Sequence, residues 1–326
     1  MINSSSTDKK GEKKSSIYGL DAEIVNLQNN MLKYRRFDSS SKLIEIRDSE
    51  QTNLFCVSVD GSDHSEKAYE MVTEEFLKQG SKVLVMHVSS SDQDDKCSFK
   101  YKKETVTNIY ATKVTKLAGR VNFVVEDKKE NMNHALEQVM AFAMFFKSNY
   151  LVTGYYGIKG AKGDNNELTK GVNYLLGYST IPAMIIKDTE IRSKKTSKSH
   201  SWLFVFDRKI ANALKCFQAF SQLIDPLNDH VHGLTVDTSN TSSTDEFKEQ
   251  FYKEIEDKGV FNSEYECVAT SKTVSAVVCQ KVNEGDVQYD FVVFTNNRQK
   301  HRTEGEKSDV VNIVKNCSSS VCFYNY

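Results

Sequence analysis

The sequence carries almost no net charge and has no long apolar run. Its 326 residues include 43 Lys and Arg against 44 Asp and Glu, which gives a formal net charge of −1. A chain so close to neutral is not drawn as a whole to nucleic acid or to an anionic membrane. Because no run of about 18 apolar residues occurs, a membrane-spanning helix is not expected.

The first residues lack the apolar core of a secretory signal. They read MINSSSTDKKGEKKSS, and the acidic Asp8 and Glu12 also disfavour a mitochondrial targeting segment. We therefore expect a cytosolic protein, in an assembly there such as the cytoskeleton or a cilium.

Cysteine is present but does not form a motif. There are seven cysteines, and no two of them make a C-x-x-C pair. An odd number at wide spacing is typical of reduced thiols in a cytosolic protein. Most lie in apolar stretches, where cysteine behaves as a small hydrophobic residue. The sequence therefore favours packing over a metal site or a redox pair.

Sequence signatures of the common catalytic classes are also missing. The chain contains no G-x-S-x-G, no G-x-x-x-x-G-K-[ST] and no H-E-x-x-H. We expect a protein that is not an enzyme and holds no metal.

Residues 1–50 form an extension ahead of the regular pattern. Within it, Leu20, Ile24, Leu27 and Met31 recur at helical spacing and predict a short amphipathic helix. Isolated helices shorter than about 12 to 15 residues are marginal in water, so this apolar stripe must be buried against something. We predict that it binds a protein partner.

From residue 51 onward, apolar strands alternate with amphipathic helices. Residues 51–188 predict five strands, with a capping box at Asp63-x-x-Glu66 opening the first helix. Residues 189–200 are polar and basic and predict a linker, after which 201–326 repeat the rhythm. Helical crossovers imply parallel strands. The predicted fold is α/β, with two tandem, doubly wound, parallel five-stranded sheets and an N-terminal extension.

Several short motifs in this pattern occur in the same order as in a known family. They are Val59-Asp-Gly-Ser62, Met86-His-Val88, Gly154-Tyr-Tyr-Gly157, Tyr174-Leu-Leu176 and Pro182. Together they resemble the universal stress protein family. The resemblance implies a Rossmann-like domain in each half. It also implies that the first domain is a candidate for binding an adenine nucleotide, ATP.

In the nucleotide-binding branch of that family, glycine loops at the carboxyl ends of the strands approach phosphate. The candidate nucleotide-binding residues carried over are Asp60, Gly61, His87, Val88, Gly154, Gly157, Gly160 and Lys170. The residues themselves leave alternatives open. Asp60 also suits a cap of the first helix, His87 suits a strand end, and the glycine stretch suits a surface loop with no ligand.

The chain departs from the family where the later loop should carry a glycine and a hydroxyl residue. Nine residues after Gly157 come Glu167 and Leu168, and alignment on Tyr174 instead puts Thr169 and Lys170 there. Glu167 would oppose a phosphate chain, whereas Lys170 would partly compensate as a cation. In the second half, the bulky Arg208 and Lys209 replace Gly61 and Ser62. After Phe294 comes Thr295-Asn-Asn-Arg298, which has no glycine pair and predicts a polar loop. The second half is therefore expected to be degenerate.

These observations favour a structural or docking component of a larger cytosolic or cytoskeletal assembly. The alternative is an ATP-binding stress regulator that uses the first half. Family members often dimerise through the last strand of the sheet. The two halves are accordingly predicted to form an internal pseudo-dimer through Ala183–Ile186 and Ser320–Tyr324.

Overall fold

The computed structural model describes most of the chain after residue 52. The described ranges are 53–90, 97–117, 119–157, 168–206, 210–238, 244–304 and 308–326. Residues 48–326 belong to one compact unit. The predicted helix with Leu20, Ile24, Leu27 and Met31 lies outside the described residues, as does Gly160.

The first half alternates strands and helices as the sequence predicted. Its strands are β1 (Leu54–Ser58), β2 (Lys82–Ser89), β3 (Val121–Asp127), β4 (Tyr150–Gly154) and β5 (Ala183–Ile186). Its helices are α1 (Asp63–Glu70, continued by a π-helical segment Met71–Phe76), α2 (Lys103–Thr115), α3 (Ala135–Phe145) and α4 (Lys170–Tyr178). A 3₁₀ turn, Phe99–Tyr101, precedes α2.

The second half repeats the order with one added helix. Its strands are β6 (Ser201–Phe206), β7 (His230–Asp237), β8 (Asn262–Ala269), β9 (Phe291–Asn296) and β10 (Ser320–Asn325). Its helices are α5 (Ile210–Ser221), α6 (Thr244–Asp257), α7 (Val274–Glu284), α8 (Arg298–Glu304) and α9 (Asp309–Asn316). The added helix is α8, at a position where the sequence predicted a polar loop.

The ten strands within the described ranges form one sheet rather than two. The strand order is β3-β2-β1-β4-β5-β10-β9-β6-β7-β8. Within each half every pairing is parallel. The α/β class and the parallel, Rossmann-like halves are confirmed, and the tandem sheets turn out to be continuous.

The halves join where β5 and β10 pair antiparallel. Val321 lies opposite Ile185, Cys322 opposite Met184 and Phe323 opposite Ala183. These are the strands named in the pseudo-dimer prediction. Because the pairing is antiparallel, the carboxyl ends of the strands in one half lie at the same sheet edge as the amino ends in the other.

A single hydrophobic core on one face of the sheet draws on both halves. Phe76 of the first half packs against Trp202 and Phe291 of the second, with ring centroids 6.3 and 6.0 Å away. Trp202 in turn stacks on Phe291 at 4.2 Å and is fully buried. Aromatic side chains of this size contribute much of the burial energy of a core. The two halves are therefore stabilised as one body.

The segment between β5 and β6, where the sequence predicted a basic linker, is anchored to the protein at both of its ends. Ile191 and His200 are buried. Arg192 bridges the halves: it contacts Glu75 Oε2 at 2.5 Å and Asp229 Oδ2 at 2.6 Å. A polar composition suggested solvent exposure, but here the charges have buried partners, which is the arrangement buried ions require.

Asp229 is the centre of this network. It is fully buried and precedes β7. Its carboxylate accepts hydrogen bonds from the Arg192 guanidinium, the backbone N–H groups of His200 and Asp225, and the indole N–H of Trp202. A buried carboxylate with this many donors is compensated for the loss of water.

His200 extends the network. Burial lowers the pKa of His200, but the carboxylates of Asp290 and Glu75 outweigh it, and the net direction is upward. Its ring nitrogens lie 3.5 Å from Asp290 Oδ2 and 3.6 Å from Glu75 Oε2. Lys195 completes the group with an ion pair to Asp290 at 2.5 Å.

Candidate functional site

The candidate site of the first half lies at the carboxyl ends of β1 and β4. The strand order reverses direction there, since β2 and β3 lie to one side of β1 and β4 and β5 to the other. In open α/β sheets this switch point leaves a crevice in which ligands bind. The loops that follow β1 and β4 carry Asp60 and Gly157, so the fold brings the two main predicted regions together.

Asp60 follows β1 at the switch point and orders its own loop. Its Oδ1 accepts a hydrogen bond from the backbone N–H of Ser62 at 3.0 Å, and its backbone N–H donates to Ser65 Oγ at 3.3 Å. Its other oxygen faces Gly157, where an added Cβ would lie 2.7 Å from Oδ2. Asp60 therefore stabilises the entry to α1, and its second oxygen lies against Gly157.

The helix entry differs from the predicted capping box. Ser62, not Asp63, is the N-cap of α1, and its hydroxyl accepts from the Ser65 N–H. The same hydroxyl donates to the Tyr156 carbonyl at 3.2 Å and so connects the loops after β1 and β4. Glu66 does not return to the cap, because its carboxylate binds Tyr110 and Lys113 instead. Sequence analysis missed Ser62 and Tyr156 as a link between the loops.

The three described candidate glycines have different reasons to be glycine. Gly61 has φ +82°, a conformation that side chains disfavour. Gly154 abuts α1, since an added Cβ would lie 2.6 Å from the His64 carbonyl carbon. Gly157 leaves room for the Asp60 carboxylate. Gly61 is therefore explained by turn geometry, Gly154 by its packing on α1, and Gly157 by its contact with Asp60.

The end of β2 supplies His87 and Val88. His87 is buried, and its Nδ1 lies 2.9 Å from the Val59 carbonyl oxygen. A carbonyl only accepts, so Nδ1 carries the proton and His87 joins β2 to the loop of Asp60. Val88 is 8% exposed and pairs with Glu126 of β3. Burial raises the pKa of Glu126, a group near the crevice that the sequence analysis did not single out.

The amino end of α4 is the remaining described part of the site. Thr169 is its N-cap and accepts from the Val172 N–H at 3.2 Å, so one terminal donor is already used within the protein. Lys170, the first helical residue, is exposed. Residues 158–167, including the predicted Gly160, lie outside the described ranges.

In the second half, the corresponding loop packs against the first half. Asn296, at the end of β9, is buried and donates to the Leu176 carbonyl at 2.6 Å and to Asn325 Oδ1 at 2.7 Å. Arg302 of α8 donates to the Gly177 carbonyl at 2.9 Å, and its guanidinium lies 4.2 Å from the Tyr178 ring centroid. Helix α8, which follows β9 as the candidate loop follows β4, thus packs against α4 of the first half.

Two further features bear on chemistry. Within the described ranges, no group of three or more His, Cys, Asp or Glu side chains is arranged to hold a metal ion. Among the helices in those ranges, none has the length and apolar character needed to cross a bilayer.

The sequence matches no protein-family model, and a search of curated proteins finds no match. Solved structures do match. A universal stress protein from Archaeoglobus fulgidus DSM 4304 matches with a TM-score of 0.58 and 11% identity, over 84% of this chain and 99% of that one. A protein of unknown function from Pseudomonas aeruginosa PAO1 matches with a TM-score of 0.56 and 10% identity, over 84% of this chain and 92% of that one.

A universal stress protein from Arabidopsis thaliana, solved with AMP bound, matches over 42% of this chain and 96% of that one. Its TM-score is 0.30 at 14% identity, and a likeness at this level carries no argument about a ligand here. The alignment with the Archaeoglobus protein spans most of both chains at low identity. The described part of this chain therefore has the universal stress protein fold, as the motifs in its sequence predicted.

Proposed function

We propose that this protein is a non-catalytic docking component of a larger cytosolic or cytoskeletal assembly. The observation that carries the proposal is that the loop after β9, the counterpart of the candidate ligand loop after β4, packs against the first half. Asn296 and α8 bind the end of α4, and the region that would receive a ligand now holds the halves together. A rigid fold in which this loop is used for packing suits a protein that binds partners through its surface.

The surface we propose for docking lies at the end of α3. This helix reads ALEQVMAFAMF, apolar on nearly every side, which is the pattern of a helix covered all round. Val139, Met140 and Ala143 are buried against the sheet. An aromatic face at the carboxyl end of the helix, defined as Phe142, Phe145 and Phe146, is only partly buried.

The rings of this aromatic face form a cluster. Phe142 stacks on Phe146 at 6.3 Å, and Phe145 meets Phe146 edge-on at 5.0 Å. Clustered, partly exposed aromatic side chains are typical anchors of protein interfaces. We propose that a partner protein covers them with an apolar surface, and that the stripe of Leu20, Ile24, Leu27 and Met31 adds a second contact.

The aromatic face yields a testable prediction. A variant with Phe142→Gln and Phe145→Gln should leave the assembly and elute as a monomer when extracts of expressing cells are fractionated by size. The wild type should elute at a larger size.

The matched control is Phe99→Gln, since Phe99 is 77% exposed but lies apart from this face. That variant should stay in the assembly, because single exposed apolar residues are common and carry little binding energy. Wild-type protein that elutes as a monomer, or a double variant that keeps the larger size, would contradict the proposal.

Adenine-nucleotide binding in the first half is the second candidate. It is favoured by one observation, the close approach of Gly157 to the Asp60 carboxylate at the switch point. Against it, Asp60 already binds the Ser62 N–H, and Thr169 already caps α4. We therefore propose that any binding of ATP is weak and that hydrolysis is negligible.

Calorimetry with ATP measures this directly. The wild type should give no heat of binding at micromolar concentrations. Tight binding that disappears in an Asp60→Ala, Gly157→Val variant would favour the second candidate over docking. Tight binding that persists in that variant would place the site elsewhere.

A further inference from the structure

The packing of α7 against α9 brings two cysteines together. Cys279 lies in α7, and Cys317 is the C-cap of α9. Their sulfur atoms are 3.4 Å apart, although 38 residues separate them in the chain. All seven cysteines lie in described ranges, where no disulfide joins any of them. At this distance, modest side-chain rotations bring the sulfurs to bonding range.

The two thiols have different surroundings. Cys279 is partly exposed, whereas Cys317 is 2% exposed. The hydrogen bond from Cys317 lowers the pKa of Cys279. That same contact, with burial, raises the pKa of Cys317. Formation of the thiolate, which is the reactive form, is therefore favoured at the more accessible sulfur, that of Cys279.

A buried cation lies beside the pair. Lys187 follows β5, is 6% exposed, and donates from Nζ to the Cys317 carbonyl. Burial lowers the pKa of Lys187 to about 8. Its positive charge also favours the thiolate of Cys279. Lys187 Nζ also lies 4.7 Å from the ring centroid of Tyr155, the residue that follows β4. Lys187 therefore connects Cys317 of the second half to the first half.

We propose that Cys279 and Cys317 form an oxidation site for hydrogen peroxide and are joined by it in a disulfide. The Cys279 thiolate attacks one peroxide oxygen, the O–O bond breaks, and the departing hydroxide takes a proton to become water. Cys279 is then a sulfenic acid. The Cys317 sulfur gives up its proton and attacks the Cys279 sulfur; the S–S bond forms, the S–O bond breaks and a second water leaves. Two thiols are oxidised and one peroxide is reduced.

The other cysteines differ from this pair. Cys56 and Cys322 are fully buried in central strands, and burial raises the pKa of each thiol. Cys216 is buried and donates to the Phe294 carbonyl. Cys267 is exposed on β8 and provides an accessible comparison. If solvent accessibility alone decides which cysteine reacts, Cys267 should be oxidised. If the neighbouring thiol decides, Cys279 should be crosslinked to Cys317.

The test is treatment of the full-length protein with hydrogen peroxide, followed by alkylation, non-reducing tryptic digestion and mass spectrometry. Cleavage at lysine places Cys279 in peptide 273–281 and Cys317 in peptide 316–326, which also holds Cys322. The two peptides should be linked in wild type, in Cys267→Ser and in Cys322→Ser. The link should be lost in Cys279→Ser and Cys317→Ser. Lys187→Met, checked for native circular dichroism, should form it several-fold more slowly.

Two results would overturn the proposal, and a third would overturn the part assigned to Lys187. One is a wild-type peptide 273–281 that stays reduced while Cys267 is oxidised. Another is a link that survives in Cys317→Ser but not in Cys322→Ser. A third, an unchanged rate in folded Lys187→Met, would remove Lys187 from the site.

Discussion

Replacing Arg192 with alanine lowers the expected free energy of unfolding by about 3 to 5 kcal/mol, the usual cost of removing one partner from a buried ion pair. The guanidinium contacts both Glu75 and Asp229. Their side chains are 5% and 0% exposed, so the variant leaves two carboxylates without their cation. Urea unfolding followed by circular dichroism measures the loss.

The control for Arg192 is the neighbouring Lys194. It pairs with Glu70 at 2.7 Å, but its side chain is 53% exposed. Exposed pairs contribute about 0 to 1 kcal/mol, so Lys194→Ala should unfold almost as wild type does. Equal, small losses for both variants would mean that the segment between the halves does not stabilise the fold.

Replacing Trp202 with alanine should cost about 3 to 5 kcal/mol. The indole is fully buried, stacks on Phe291 and donates to Asp229 Oδ2 at 3.0 Å. Its removal opens a cavity where the cores of the two halves meet, beside Phe76. Both halves should therefore unfold together at lower urea, in a single transition.

Two further variants separate the causes. Trp202→Phe keeps most of the ring and loses the indole N–H, so its cost should be about 1 to 3 kcal/mol. Phe261→Ala removes a ring that is 80% exposed and should change little. If Trp202→Ala unfolds in two separate steps, the halves are independent and the shared core is not cooperative.

The sequence predicted the fold well because the fold depends on local patterns. Buried strands such as Phe291–Phe294 are continuous apolar runs, and helices such as α9 carry apolar stripes, so both could be located from the sequence. The merging of the sheets along β5 and β10 was accessible only through the family resemblance. No local pattern records which edge strands meet.

The sequence could not reveal features that depend on residues far away in the chain. Arg192 and His200 are polar in a polar segment, and only the fold supplies Glu75, Asp229 and Asp290 to bury them. Helix α8 was predicted as a loop, since RQKHRTE has no apolar stripe of its own. Tertiary contacts from Arg302 to α4 hold it instead.

For the candidate site, the sequence predicted that residues from the ends of different strands would lie together. Asp60 and Gly157 do lie together. However, Gly154 packs on α1, and His87 binds the Val59 carbonyl. A glycine that serves packing and one that approaches a phosphate look alike in a sequence, because both simply lack a side chain.

We propose that the protein acts by binding partners through its surface and not by binding a ligand at the switch point. The most direct test compares two variants by size fractionation of the same cell extract: Asp60→Ala with Gly157→Val, and Phe142→Gln with Phe145→Gln. We predict that the crevice variant remains in the assembly and that the aromatic-face variant is released. Release of the crevice variant with retention of the aromatic-face variant would contradict the claim.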